Sequence, residues 1–163
     1  MTVDRLNDKA VDRIECRPAE PADFDRVAEV WWESGRNADG AVADHPSLAE
    51  LRARVDREIA AGWELTLAIR AGRIAGFAAI RRGEAILDQL FVLPDDQGGG
   101  VGRALLACVQ AAMPAGFTLR TAQENTQARR FYERSGLLLA GEGLHPRYGS
   151  VVCYYQWEGT TAG

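Results

Sequence analysis

The chain has 163 residues, 47% of them hydrophobic and 26% charged, which suits one domain with an ordinary core and no need of staples. Nineteen basic against 23 acidic residues give a formal net charge of −4, which argues against a surface built to grip a phosphate backbone and so against a nucleic-acid partner. Three widely spaced cysteines without CxxC or metal-ligand spacing, no apolar run of transmembrane length and no signal-peptide pattern point to a cytoplasmic protein with no metal and no membrane partner.

Residues 1–12 are polar and without period, and read as a flexible lead-in to a single domain over 13–158, with 159–163 as a tail. RIECRP (13–18) makes a short first strand ending at Pro18. Pro21 suits a first helical position, Asp23 and Asp25 place carboxylates at the positive end of a helix, and Phe24, Val27, Ala28 and Trp31 recur with helical spacing to about Ser34. A turn-rich loop (34–46) follows. Ser47 and Glu50 then form an S-x-x-E capping box that opens a second helix with Leu48, Leu51, Val55 and Ile59 on one face and Gly62 at its end.

From Trp63 the period becomes two. Residues 63–69, 74–80 and 85–93 read as three strands joined by the tight turns RAGR and RRGE, an antiparallel meander. The third, AILDQLFVL, is apolar nearly throughout and is expected at the centre of the sheet. Val101, Leu105, Leu106 and Val109 mark a helix that Pro114 ends; GFTLRTAQ (116–123) is a strand, 125–136 a helix closed by Gly136, and LLLAG with VVCYYQW a final hairpin around loop 142–150. The order β-α-α-β-β-β-α-β-α-β-β defines one α/β or α+β domain, and the strand–helix–strand passage after residue 85 favours a locally parallel pair.

Between the third meander strand and the next helix stand Gly98, Gly99 and Gly100, with Gly102 just beyond. Glycine loses the most backbone freedom on folding, so four in this place imply a use for bare backbone. A strand, a glycine-rich turn and a helix start together bind phosphate: unpaired N–H groups and the helix dipole face the anion. A P-loop would need Lys-Ser or Lys-Thr after the glycines, and a dinucleotide fingerprint would need glycine where Arg103 stands; both patterns fail.

These residues resemble the GNAT superfamily of acetyl-CoA-dependent acyltransferases. Its pyrophosphate loop, [QR]-x-x-G-x-[GA], is matched by Gln97, Gly100 and Gly102, and a preceding V-x-P by Val92, Leu93 and Pro94. A second pattern, N-x-x-A-x-x-[FY]-Y-x-x-x-G, is matched by Asn125, Ala128, Phe131, Tyr132 and Gly136. The resemblance implies a mixed, mostly antiparallel central sheet whose fourth and fifth strands, a parallel pair, splay apart. It implies acetyl-CoA as co-substrate, with Leu90, Phe91 and Val92 along the pantetheine, a main-chain N–H as oxyanion donor, and Gln97, Gly98, Gly99, Gly100, Val101, Gly102 and Arg103 around the pyrophosphate. Position 99, often Arg or Lys in the family, is Gly99 here, and Arg103 is the residue placed to make up the charge.

Transfer of an acetyl group from a thioester to an amine needs a neutral nucleophile, an oxyanion donor and a proton for the leaving sulfur. Tyr132 is the candidate acid, because a phenol is protonated at neutral pH. Periodicity alone would make it a core aromatic beside Phe131; the motif match favours the acid. Asn125 caps its helix and, by the resemblance, also lies near the pantetheine arm. Asp88 is the candidate base: on a period of two it shares a face with Leu90 and Val92, where desolvation would raise its pKa, against the alternative of a structural Asp paired with an arginine. Glu84 is the reserve on that face.

His45 and His145 fall in the two long loops, where loop histidines are usually just solvated, and Trp32 either lines an acceptor pocket or packs on the second helix. Cys16, Cys108 and Cys153 sit in apolar settings, so direct transfer within a ternary complex is expected rather than an acyl-enzyme. The expected partner is a small-molecule or peptide amine, with a homodimer through the last strands as a family habit. A binding module that senses acyl-CoA without turnover is the alternative.

Overall fold

The computed structural model describes residues 13–38 and 45–160. The lead-in expected over 1–12, residues 39–44 of the first long loop and residues 161–163 of the tail lie outside the described residues. Along the chain come β1 (Ile14–Pro18), α1 (Phe24–Arg36), α2 (Leu48–Ala60), β2 (Glu64–Arg70), β3 (Arg73–Arg81), β4 (Ile86–Val92), α3 (Val101–Ala112), β5 (Phe117–Ala122), α4 (Thr126–Arg134), β6 (Leu138–Leu144) and β7 (Val151–Trp157), in the predicted order.

Local chemistry accounts for the joints. The Asp23 carboxylate accepts from the Glu20 N–H at 2.8 Å and takes both arms of the Arg17 guanidinium at 2.8 and 3.0 Å, which fastens β1 to the entry of α1. The capping box at α2 is formed, with the Glu50 N–H donating to Ser47 Oγ at 3.1 Å and the Ser47 N–H to Glu50 Oε2 at 3.3 Å. Leu48, expected on the buried face of α2, is exposed; Leu51 and Val55 carry the packing. Ala71 and Gly72 both adopt left-handed backbone (φ 52° and 73°), the geometry of a two-residue hairpin turn between β2 and β3.

The seven strands form one sheet in the order β1-β2-β3-β4-β5-β7-β6. All neighbours run antiparallel except β4 and β5, which are parallel. Helices cover both faces. On one, α1 and α2 bury Val27, Val30, Trp31, Leu51 and Val55 against Trp63, Leu67 and Phe77 of the sheet side. On the other, α3 and α4 bury Leu105, Leu106, Val109 and Tyr132 against Leu87, Phe117, Leu119 and Tyr155. Burying each such side chain contributes about 1.5–3 kcal/mol relative to leaving it exposed.

The third meander strand, expected at the centre for its apolarity, does take the middle place as β4, but only Leu87 in it is fully buried. The continuously buried strand is β3, with every residue from Ile74 to Ile80 inside. The reason is the partner of β4 on its far side. Strands β4 and β5 are paired at a single position, Ile86 with Thr118, and then part.

Candidate active site

That parting leaves a seam between β4 and β5, with the glycine loop at the end of β4. The Leu93 N–H donates to Ala75 O at 2.9 Å, and the short turn Pro94–Asp96 delivers Gln97 to the glycines. Gly98 and Gly100 have φ of 80° and 92°, left-handed backbone that favours glycine. Gly100 caps α3, its carbonyl accepting from the Ala104 N–H at 3.0 Å. The N–H groups of the first turn, Val101, Gly102 and Arg103, therefore have no intrahelical acceptor and open on the loop, where the helix dipole favours an anion. Gln97 ties the loop down: its Nε2 donates to Val92 O at 3.3 Å, and its Oε1 accepts from Gln127 Nε2 of α4 at 3.0 Å. A Cβ at Gly102 would lie 3.3 Å from Phe131 Cζ, so this glycine allows α4 to lie close to α3. Arg103 is exposed in the first turn.

Leu90 and Val92 face the α3–α4 side of the sheet, in the cluster that holds Tyr132 and Phe131. Phe91 points the other way, onto Phe77 at 5.9 Å between ring centroids. Tyr132 is buried, with its ring 5.3 Å from that of Phe131 and 6.1 Å from that of Tyr155. Burial pushes its phenol well above the ordinary range, so the hydroxyl keeps its proton throughout neutral pH. Asn125 Oδ1 accepts from the Ala128 N–H at 3.1 Å and caps α4.

Asp88 corrects the sequence reading. Ala79 pairs with Gln89 and Ile80 with Leu87, so Asp88 is the extra residue of a β-bulge. The extra residue breaks the period of two. Asp88 no longer shares a face with Leu90 and Val92; it turns toward Trp63, whose Nε1 donates to Asp88 Oδ2 at 2.7 Å, and toward Arg81, with Nε at 3.5 Å. Arg81 also pairs with Glu58 of α2. Asp88 is thus anchored by two partners, the arginine-paired arrangement weighed above. Glu84 lies in an exposed turn before β4 begins, off the strand face expected for it.

His45 is half-buried at the end of the first long loop, with Nε2 2.8 Å from the place of a Cβ on Gly35, so that glycine makes room for the ring. His145 Nδ1 accepts from the N–H groups of Arg147 at 3.0 Å and Tyr148 at 3.2 Å. Burial, followed by the charges of Arg120, Arg147 and Arg54, lowers its pKa. Trp32 packs on the α1–α2 cluster under the Arg36 guanidinium, 4.3 Å from the ring centroid. Burial and the neighbouring Cys108 thiol push Cys16 up to about 11, a poor nucleophile at neutral pH. Among the described residues, no group of three His, Cys, Asp or Glu side chains is placed to hold a metal, and no helix is long and apolar enough to cross a membrane.

Three features escaped the sequence reading. A Cβ on Gly76 would lie 2.5 Å from Phe91 O, so at this point β3 runs unusually close beside the β4 backbone it pairs with. Tyr155 OH donates to Glu133 Oε1 at 2.8 Å and accepts from Arg129 Nε at 3.0 Å, locking α4 to β7. Arg70, at the end of β2, reaches the glycine loop, with Nη1 3.6 Å from Asp96 Oδ1. An alternating pattern could have placed Tyr155 inward; nothing local to Gly76 or Arg70 signals what lies above them.

Comparison with known proteins agrees with this fold. A family model described as an acetyltransferase (GNAT) domain matches residues 39–141. A 5-NmdU N-acetyltransferase of Pseudomonas phage PaMx11 is 34% identical over 88 residues, 51% of this chain; the matched stretch spans 62% of the length of the phage protein. A GNAT-family protein of Desulfovibrio desulfuricans superposes with a TM-score of 0.70 at 25% identity, covering 90% of this chain and 99% of its own. A phosphinothricin acetyltransferase of Sinorhizobium meliloti, solved with acetyl-CoA, gives 0.69 at 20% identity over 92% of each chain.

Proposed function

The chain belongs to the GNAT acetyltransferase family, and from that premise we propose that it is an N-acetyltransferase that moves an acetyl group from acetyl-CoA to a primary amine of a small molecule or peptide. The observation that carries the proposal is the glycine loop at the mouth of the β4–β5 seam: left-handed Gly98 and Gly100 turn first-turn N–H groups outward where a pyrophosphate fits, and the parted strands offer a channel for the pantetheine. The amine nitrogen attacks the thioester carbonyl directly, the C–S bond breaks, and the sulfur leaves with the electron pair.

Tyr132 supplies the proton to that sulfur. Its burial suits the task in one direction only: the phenol holds its proton at neutral pH and serves as donor, never as base. The proton shed by the amine replaces it by way of water, since Asp88 is turned to Trp63 and Arg81 on the other side of β4. Leu90 and Val92 shape the apolar wall, and a β4 main-chain N–H facing the seam takes the oxyanion. Asn125 orders the start of α4 beside the seam. Cys16, its pKa raised by burial, stays protonated and takes no part as a nucleophile.

The acceptor differs among relatives, as their names record: 5-NmdU for the phage protein, phosphinothricin for the Sinorhizobium enzyme, spermidine for a Vibrio cholerae neighbour. None is carried over to this chain. The anchoring of Asp88 by Trp63 and Arg81 favours a second reading, an acyl-CoA sensor without turnover.

Calorimetric titration with acetyl-CoA, with NADH and ATP as controls, tests binding. Saturable binding of acetyl-CoA alone, lost in Gly100→Glu, is expected; a folded wild-type protein that ignores acetyl-CoA would overturn the reading. Turnover separates enzyme from sensor. With an amine library and thiol release as readout, Tyr132→Phe is expected to lower kcat by about 10²-fold or more, the usual worth of a general acid, with the calorimetric affinity unchanged. Thiol release unaffected by that substitution removes Tyr132 from the chemistry.

A further inference from the structure

Gly98 and Gly100 are glycine for their backbone; Gly99 is not. Its φ lies outside the left-handed region that its two neighbours occupy, so no left-handed backbone demands glycine here. What the position does not offer is space. A Cβ on Gly99 would stand 2.6 Å from Arg70 Nη1 and 3.4 Å from Arg70 Cζ, because the guanidinium of the last β2 residue lies where a side chain at 99 would begin. Arg70 also meets Asp96 of the same loop, Nη1 to Oδ1, at 3.6 Å.

We propose that Arg70 is the loop's phosphate-binding cation, delivered from β2 through the space left by Gly99, so that positions 70 and 99 form an exchange: a charge on the strand in place of a charge on the loop. This rests on the acetyl-CoA reading above and deepens it. A guanidinium beside first-turn N–H groups adds a planar, permanently charged donor to an anion site otherwise made of backbone. Its approach to Asp96 of the short turn holds the guanidinium at the loop. Arg103, on the helix and exposed, is then a second and outer charge.

The experiment is calorimetric titration of acetyl-CoA into four proteins: wild type, Arg70→Ala, Arg70→Ala with Asp96→Asn, and Arg70→Ala with Gly99→Arg. Loss of one charge-assisted contact is expected to weaken binding by about 10- to 100-fold in Arg70→Ala. Asp96→Asn is expected to leave it weak, whereas Gly99→Arg returns most of the lost affinity and shows at the same time that the Arg70→Ala chain is folded. Wild-type affinity in Arg70→Ala overturns the proposal. So does recovery by Asp96→Asn, which would reduce Arg70 to cancelling a carboxylate, or failure of Gly99→Arg to restore anything. A wild-type protein that does not bind acetyl-CoA overturns the functional reading itself, a result that none of the variant comparisons can imitate.

Discussion

Gly76 shows how a single absent side chain sets the spacing between β3 and β4, the strand that borders the seam. A methyl group there would meet Phe91 O at 2.5 Å and, from α3, Leu105 Cδ1 at 3.2 Å and Val101 Cγ1 at 3.3 Å. The first of these is main chain and cannot swing aside. Gly76→Ala is therefore expected to destabilise by about 1–3 kcal/mol, the usual cost of overpacking, and to lower Tm by roughly 2–4 °C for each kcal/mol in a chain of this size. A thermal melt with an unchanged midpoint would show that β4 yields at no cost. The sequence hides this residue inside an apolar run, because what a Cβ would strike depends on a strand fifteen residues further on. Asp88 was misplaced for a related reason. Alternation assigns faces by counting in twos, and one bulged residue, invisible in the letters, reverses the count from that point.

Among the elements, the joint between β1 and α1 is electrostatic. The Arg17 guanidinium, then the Glu20 N–H, hold the Asp23 carboxyl down at about 2. A carboxyl depressed below its unfolded value of about 3.9 stabilises the fold above that value, and the contribution fades as pH falls toward 2. Asp23→Asn is expected to cost about 1 kcal/mol at pH 7 in chemical denaturation, with the gap to wild type closing between pH 4 and 2. A gap constant over that range would mean the asparagine loses shape, not charge. This joint was half legible: Pro21 and Asp23 announced a helix start, but the partner six residues back belongs to a strand, and no helical rule looks there. The α2 cap, by contrast, was legible in full, since both halves of its box lie within four residues.

Over the whole molecule, the order of strands and helices follows from local period and from turn residues, and the glycine loop announces itself by composition. The insertion of β7 between β5 and β6 does not, because it is decided by pairings across long stretches of chain. Nor does the half-burial of β4, which depends on a neighbour that approaches and then leaves. The consequence of that departure reaches beyond the site. Strands β1 to β4 are each laced to the next in the chain, and β5, β7 and β6 are laced to one another in that order, but the two sets share one ladder rung, Ile86 with Thr118, and otherwise only the side chains packed beneath them. The sheet is continuous in outline and nearly severed in its hydrogen bonding. A long, thin molecule lying across the gap and bonded to both rims would act as a splint, so that the same contacts that recognise it would also make two half-sheets behave mechanically as one.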